Sequence, residues 1–235
     1  MAKKTSLLEE RIVYKPFEYQ TAFDFWLAQQ QAHWLHTEVP MMSDVNDWKQ
    51  NLSETEKNII GSILKGFAQT ETVVEEYWST LVTKWFPKPE IKMMAIGFGV
   101  GQIVEWSIRD ESMHSDAGCW LFRTLVEENP EINTPELEED VKNAALLSLK
   151  LELDFIDKVY ELGDLDTCNK YDLISFIKNR VNTKMSDLGY GPIVNGIDED
   201  AVKRMKWFDS LSAGKQHTDF FANRVTNYSK GVQNW

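Results

Sequence analysis

The sequence predicts an all-α protein, and three observations support that fold class. Apolar residues recur every three to four positions over several long stretches, which is the spacing of one helix face. Prolines and glycines fall mainly between these stretches, where helices begin and end. No stretch alternates apolar and polar residues with a period of two, and there is no internal repeat. The 235 residues are enough for one sizeable core and a single domain.

The first predicted helix covers residues 17–36 and follows a polar, aperiodic stretch at 1–16 that we expect to be a flexible arm. The helix ends near Pro40, because the residue before a proline is kept out of the helical region. Ser53 and Glu56 then form a capping box, in which each side chain satisfies the backbone amide of the other. They predict the start of a long second helix.

This second helix runs to about Lys84, and Glu71 lies in the middle of its apolar stripe. A carboxylate on an apolar face is costly unless it is neutralised or coordinated, so Glu71 is a candidate metal ligand. The alternative is that it sits at a wet edge of the stripe. Glu75 and Glu76 lie off the stripe and are expected in solvent. The apolar members of the stripe are Ile60, Ile63, Leu64, Phe67, Val74, Trp78 and Leu81.

Three further helices follow. The first begins at Pro89, which suits a first helical position, and extends to about Leu125. The next two cover 135–161 and 170–188, the last of them ended by Gly189, and residues 190–219 are expected to be looser. The first of these helices contains alternate glycines that mark a weak point or a join: Gly97, Gly99 and Gly101.

Composition excludes several classes of function. The net charge of −12 disfavours nucleic acid and anionic membranes as partners. There is no apolar run of 18 residues, no signal peptide and no glycine-rich phosphate loop, so we expect a cytoplasmic protein that binds no nucleotide itself. Cys119 and Cys168 are the two cysteines, and they imply neither a disulfide framework nor a zinc site.

The most informative stretch is QIVEWSIRDESMHSDAGCWLF at 102–122, which contains Glu111 and His114. A separation of three places both side chains on one helix face, where a carboxylate and an imidazole can bind iron or manganese. Such a pair also arises by chance as a salt-bridged pair at a surface. Apolar neighbours on or beside the same face, Phe122 and Leu125 among them, favour a position toward the core. Glu-x-x-His is the repeating unit of carboxylate-bridged dimetal bundles.

These stretches resemble the small, radical-generating subunit of class I ribonucleotide reductase, in particular that of phage enzymes. The resemblance covers nearly the whole chain and is carried by LSETEKNIIGSILKGFAQTE, KPEIKMMAIGFG, IVEWSIRDESMHSDAGCWLF, WFDSL and DFFANRVTNYSK. It implies a ferritin-like bundle around two irons, or an iron and a manganese. It also implies a homodimer, located in the host cytoplasm if phage-encoded, that works with a large subunit for deoxyribonucleotide synthesis.

The resemblance assigns roles to five residues. Glu71 matches the family's first carboxylate ligand, and Glu111 and His114 match its last Glu and His ligands. Asp110 matches an acid that hydrogen-bonds a ligating histidine and a tryptophan, and Trp34 matches that tryptophan on the electron path. An acid beside a ligating imidazole orients it. The bland alternative for Trp34 is ordinary packing, and for Asp110 a surface salt bridge.

The sequence also departs from the family. The family's first Glu-x-x-His, its radical tyrosine and a later Glu are absent: their aligned positions include Gln102, Glu105 and Arg109. The chain passes from one ligand helix into another near residues 99–100, which predicts an internal deletion within one 1–235 domain.

Three readings of the shortened chain follow. It is a reductase small subunit that cannot make a radical unaided, or it is a homodimer in which two copies of the three ligands complete a dimetal site with ferroxidase-like activity. The third reading is a non-catalytic helical protein that binds a partner.

Overall fold

The computed structural model describes residues 5–32, 41–98 and 104–208, and gives the backbone alone for Ala32 and 104–111. Over these ranges the fold is all-α, as predicted. The β-type pairing described there is one isolated bridge between Leu165 and Cys168. The helices are α1 (Gln20–Ala32), α2 (Met42–Gln50), α3 (Glu54–Glu75), α4 (Thr83–Trp85), α5 (Pro89–Phe98), α6 (Val104–Glu128), α7 (Pro135–Val159), α8 (Lys170–Asp187) and α9 (Glu199–Arg204).

The long helix predicted after Ser53 is present and carries an unpredicted change of winding. The Ser53 amide donates to Glu56 Oε2 at 2.7 Å, and the Glu56 amide donates to Ser53 Oγ at 3.2 Å, so the capping box is confirmed. After α3 the chain continues without a turn as a π-helical segment, Glu76–Val82, and then as α4. The apolar periodicity of the sequence predicted how far this helix extends, but it did not predict the π-helical winding of its last part.

Two hydrophobic cores organise the helices. The first is built by α1, α5, the π-helical segment and α6, and the second lies where α3, α7 and α8 meet. Gly97 on α5 allows close contact with α1, since a Cβ there would lie 3.3 Å from Trp26 Cδ1. The buried members of the first core are Leu7, Tyr19, Ala22, Trp78, Val82, Phe86, Ile91, Met94, Ala95, Phe98, Ala117 and Leu121.

Two sequence predictions outside the bundle are wrong. Residues 5–16 are not a flexible arm, because Leu7 is fully buried in the first core and its amide donates to Glu128 Oε2 at 2.7 Å. The stretch after Gly189 contains α9, which is fixed to α8 by two bonds from Arg204 to the carboxylate of Asp172, at 2.8 and 2.7 Å. Short helices held by distant partners leave little periodic signal.

No helix in the described ranges is long and apolar enough to cross a membrane. The predicted helix from Pro89 to Leu125 corresponds to α5 and α6, and residues 99–103 between them, with Gly99 and Gly101, lie outside the described part.

Candidate metal centre

His114 lies inside the bundle, as its spacing with apolar neighbours predicted. It is 7% exposed, and its ring packs against Phe98 of α5 with centroids 4.5 Å apart and against Trp78 with centroids 6.2 Å apart. Ala117 and Leu121 follow on the same face of α6 and are also buried. The sequence of α6 therefore turns the His114 face into the first core.

Glu71 lies on α3 and is half-buried, together with Phe67 one turn before it and Val74 one turn after it. Glu75 and Glu76 are exposed, as predicted. The structure therefore places Glu71 on the apolar face of α3, at a point where that face passes from the surface toward the interior.

Trp78, whose ring packs near His114, lies within the π-helical segment, seven positions after Glu71. The wider winding removes the ordinary backbone hydrogen bonds between residues i and i+4, and side-chain hydroxyls donate to backbone carbonyls here. Ser79 Oγ donates to the Glu75 carbonyl at 2.6 Å, and Thr83 Oγ1 donates to the Ser79 carbonyl at 2.7 Å. Within the segment Trp78 and Val82 are buried. Segments of this kind occur frequently at functional sites.

The side chains of the remaining predicted site residues are not among those that the structure describes. Trp34 is among the residues that are not described, and Asp110 and Glu111 belong to the part of α6 for which the backbone alone is described. Their roles stay predictions.

The metal that the resemblance implies can be tested against the side chains that are described. Among them, no group of three or more His, Cys, Asp or Glu side chains could hold a metal ion. The side chains of two of the three candidate ligands, Glu71 and His114, are described. The ring of Phe98 packs against the His114 imidazole. These residues alone do not fit a two-metal centre.

Sequence reasoning missed a second acid, Glu90, which is completely buried at the start of α5. It accepts bonds from Arg11 Nη2 at 2.5 Å and from the amides of Glu18 and Tyr19 at 2.8 and 3.0 Å. The two amides immediately precede α1, so the carboxylate also compensates the positive end of that helix. Glu90 fixes the start of α1 to the start of α5.

A second set of bonds holds the same arm. Lys88 is fully buried and donates to Thr5 Oγ1 and to Glu18 Oε2, the latter at 3.0 Å. Tyr19 Oη lies 2.7 Å from Glu128 Oε1 at the end of α6. Burial and the neighbouring Glu128 carboxylate raise the pKa of Tyr19 well above its ordinary value. The signal available in the sequence was the charged pair Lys88 and Glu90, which flanks Pro89 at the start of α5.

Comparison with known proteins identifies the fold family. The model described as ribonucleotide reductase, small chain, matches residues 11–98 and again 98–200. The chain belongs to the ribonucleotide reductase small-chain family. The resemblance that the motifs predicted is thereby confirmed at the level of the family, and the two matched segments meet at Phe98, where α5 ends.

Three relatives show how this family member compares with others. It is 24% identical to a probable ribonucleoside-diphosphate reductase small subunit of Invertebrate iridescent virus 3, covering 97% of this chain and 86% of the viral protein. It is 24% identical to the corresponding protein of Invertebrate iridescent virus 6, covering 95% of each chain. It is 25% identical to the ribonucleoside-diphosphate reductase subunit beta of Chlamydia pneumoniae, covering 58% of this chain and 38% of that protein.

The length of the first alignment is itself informative. It extends over 330 residues, whereas this chain has 235, so at least 95 aligned positions have no residue of this chain opposite them.

Proposed function

We propose that the chain acts as a small subunit of ribonucleoside-diphosphate reductase and helps to supply an oxidant to a large subunit, which binds the nucleotide. The observation that carries this proposal is the family match, which covers both the α3 region and the α6 region. The relatives' names support it, since each is a small or beta subunit of this reductase. The proposal places the protein in the cytoplasm as a dimer.

Within this function, Glu71, Glu111 and His114 are the proposed metal ligands, and iron, or iron with manganese, is the proposed metal. The burial of His114 against Trp78 supports an interior role for the imidazole. Trp34 and Asp110 are the proposed residues for electron and proton transfer to the large subunit.

We also propose that the chain lacks an internal segment of its family near residues 99–100. The two-part family match that meets at Phe98 supports this, as do the 95 or more unmatched positions in the first alignment. Dimetal bundles use four carboxylates and two histidines, so the three proposed ligands of one chain are half of a set. A single chain should therefore not assemble a complete centre.

Aerobic loading with ferrous iron tests this function, with the iron content and the electron spin resonance spectrum taken from the same sample. We expect fewer than two irons per chain and no tyrosyl signal for the chain alone. Glu71→Gln should lower the iron content, and Glu76→Gln, an exposed acid five positions later, should not.

Two results would contradict these assignments. Iron content that is unchanged by Glu71→Gln would remove Glu71 from the ligand set. Two irons per chain with a radical would show that the chain is complete by itself. One iron per chain in a tight dimer would favour a site shared by two copies, and no iron would leave a non-catalytic partner-binding protein.

A further inference from the structure

Within the part of the chain that the structure describes, one apolar face of α3 is largely exposed along its first half. This α3 stripe consists of Ile60, Ile63, Leu64, Phe67 and Glu71. At about 100° per residue these positions share one side of the helix. Ile60, Ile63 and Leu64 are 36%, 42% and 41% exposed, although their spacing is that of a core-facing stripe.

The helices that approach this part of α3 use other sides. A Cβ on Gly61, about 100° from the centre of the stripe, would lie 3.7 Å from Trp48 Cη2 of α2, and α7 packs on the side that carries Ile59 and Gly66. Ile59 is 3% exposed and lies with Ile156 and Val159 of α7 in the second core. A Cβ on Gly66 would lie 3.0 Å from Phe155 Cζ of α7, so the helices are in contact there as well. Ile59 and Gly66 are about 100° away from the centre of the α3 stripe. Among the described residues, the contacts with α2 and α7 therefore leave much of the stripe exposed.

The α3 stripe is continuous with the first core. The same side of the helix carries Phe67 and Val74, which are half-buried, and reaches the buried Trp78. An apolar side that is core at one end and exposed at the other is typical of a surface from which a packing element is missing.

We infer that the α3 stripe binds a separate helical polypeptide that corresponds to the internal segment that this chain lacks; the inference rests on the proposed function. The missing length fits this occupant. At least 95 positions of the alignment with the first relative have no counterpart here, and the two parts of the family match meet at Phe98, the end of α5. α3 has 22 residues and is about 33 Å long, so 95 residues can provide two helices of that length and their connections.

Charge favours a partner of different sequence over a second copy of this chain. α3 carries four glutamates and two lysines, and the whole chain has a net charge of −12. Two copies meeting through the stripe would bring together two chains that each carry this net negative charge, which is unfavourable. A helix with an apolar face and a net positive charge is complementary to the chain as a whole. Because Glu71 belongs to the stripe, such a partner would lie directly beside a proposed ligand.

The test uses the full chain and two probes. Each probe is the internal segment of one relative, from Invertebrate iridescent virus 3 or 6, that has no counterpart in this chain, produced as a separate polypeptide. Sedimentation velocity measures the complex, and amide hydrogen exchange measures protection of residues 60–71. We expect a 1:1 complex with at least one probe and exchange slowed by about tenfold or more across the stripe.

A matched pair of variants locates the surface. Leu64→Glu should weaken binding by about tenfold or more, because it places a carboxylate within the apolar contact. Val73→Glu should leave binding unchanged, because Val73 is 62% exposed and lies on the opposite side of α3 from Leu64. Thermal unfolding by circular dichroism confirms that both variants fold.

The outcomes separate this inference from the proposed function. Failure of both probes to bind would overturn the inference, and so would a dimer of the chain alone that Leu64→Glu dissociates, since the occupant would then be a second copy. A complex that binds no iron would support the inference and contradict the proposed function. Two irons and a radical in the chain alone would support the function and overturn the inference.

Discussion

Glu71 and Glu90 are both acids on largely apolar helices, and their surroundings differ completely. Glu90 has no exposed surface, and its carboxylate accepts three bonds from Arg11 and the two amides that precede α1. Glu71 is half-buried on a helix side whose first half is uncovered. The chain itself provides every partner that encloses Glu90.

The comparison shows that an acid on an apolar face does not by itself indicate a metal. Burying a carboxylate is costly unless it is paired, but backbone amides and a guanidinium can pair it as well as a cation can. The Glu90 environment is complete and structural. The Glu71 environment adjoins an open surface, which is what a site completed by another polypeptide requires.

The largest effect is expected at Glu90. Glu90→Ala leaves a buried guanidinium and two amides without their acceptor, so the free energy of unfolding should fall by about 3–5 kcal/mol. Chemical denaturation measures this, with Glu152→Ala on the exposed side of α7 as the control, expected to change stability by about 0.5 kcal/mol or less. Equal effects of the two substitutions would contradict a structural role for Glu90.

A smaller effect is expected at Tyr19, and it should depend on pH. Tyr19→Phe removes a hydroxyl that bonds a carboxylate, which should cost about 1.5–3 kcal/mol at pH 7. Because the pKa of Tyr19 is raised in the folded chain, the tyrosine ionises in the unfolded chain first, above about pH 10. The stabilisation that the Tyr19 hydroxyl gives the wild type therefore decreases as the pH rises above that value. The difference between wild type and variant should narrow there. A constant difference from pH 8 to 11 would show that Tyr19 does not titrate in this way.

The smallest effect on stability is expected at Glu71. Glu71→Gln without metal should change the free energy of unfolding by about 1 kcal/mol or less, because a half-buried side chain keeps part of its hydration. Chemical denaturation measures this change, and Glu75→Gln, at an exposed position on the same helix, is the control. A cost comparable to that of Glu90→Ala would place Glu71 in the same structural class as Glu90 and weaken its assignment as a ligand.

Local signals predicted the helices well. The capping box at Ser53, the proline at the start of α5 and the glycine after α8 each act within a few residues, so the sequence alone contains the relevant physics. The Glu90 cluster was missed because its partners are 71 to 79 positions away along the chain. The exposure of Ile63 and Leu64 was missed because periodicity shows which side is apolar, not whether anything covers it.

At the candidate site too, local patterns predicted some features and could not predict others. Burial of His114 followed from the apolar residues on its face, and the structure confirms it. The ligand roles of Glu71 and Glu111 were predicted from an apolar stripe and from helical spacing and then matched to the family, and they stay predictions, as do the roles of Trp34 and Asp110. Distances between helices that are far apart in sequence do not follow from any local pattern.

The π-helical segment means that positions before and after it cannot be compared by simple counting. A π turn holds one more residue than an α turn, so deleting a single residue between Glu76 and Val82 would restore ordinary winding. It would also rotate the residues that follow the deletion, Val82 among them, relative to Glu71. The position of Val82 in the first core therefore depends on one added residue, and a homologue one residue shorter at this point would have to build its interior differently.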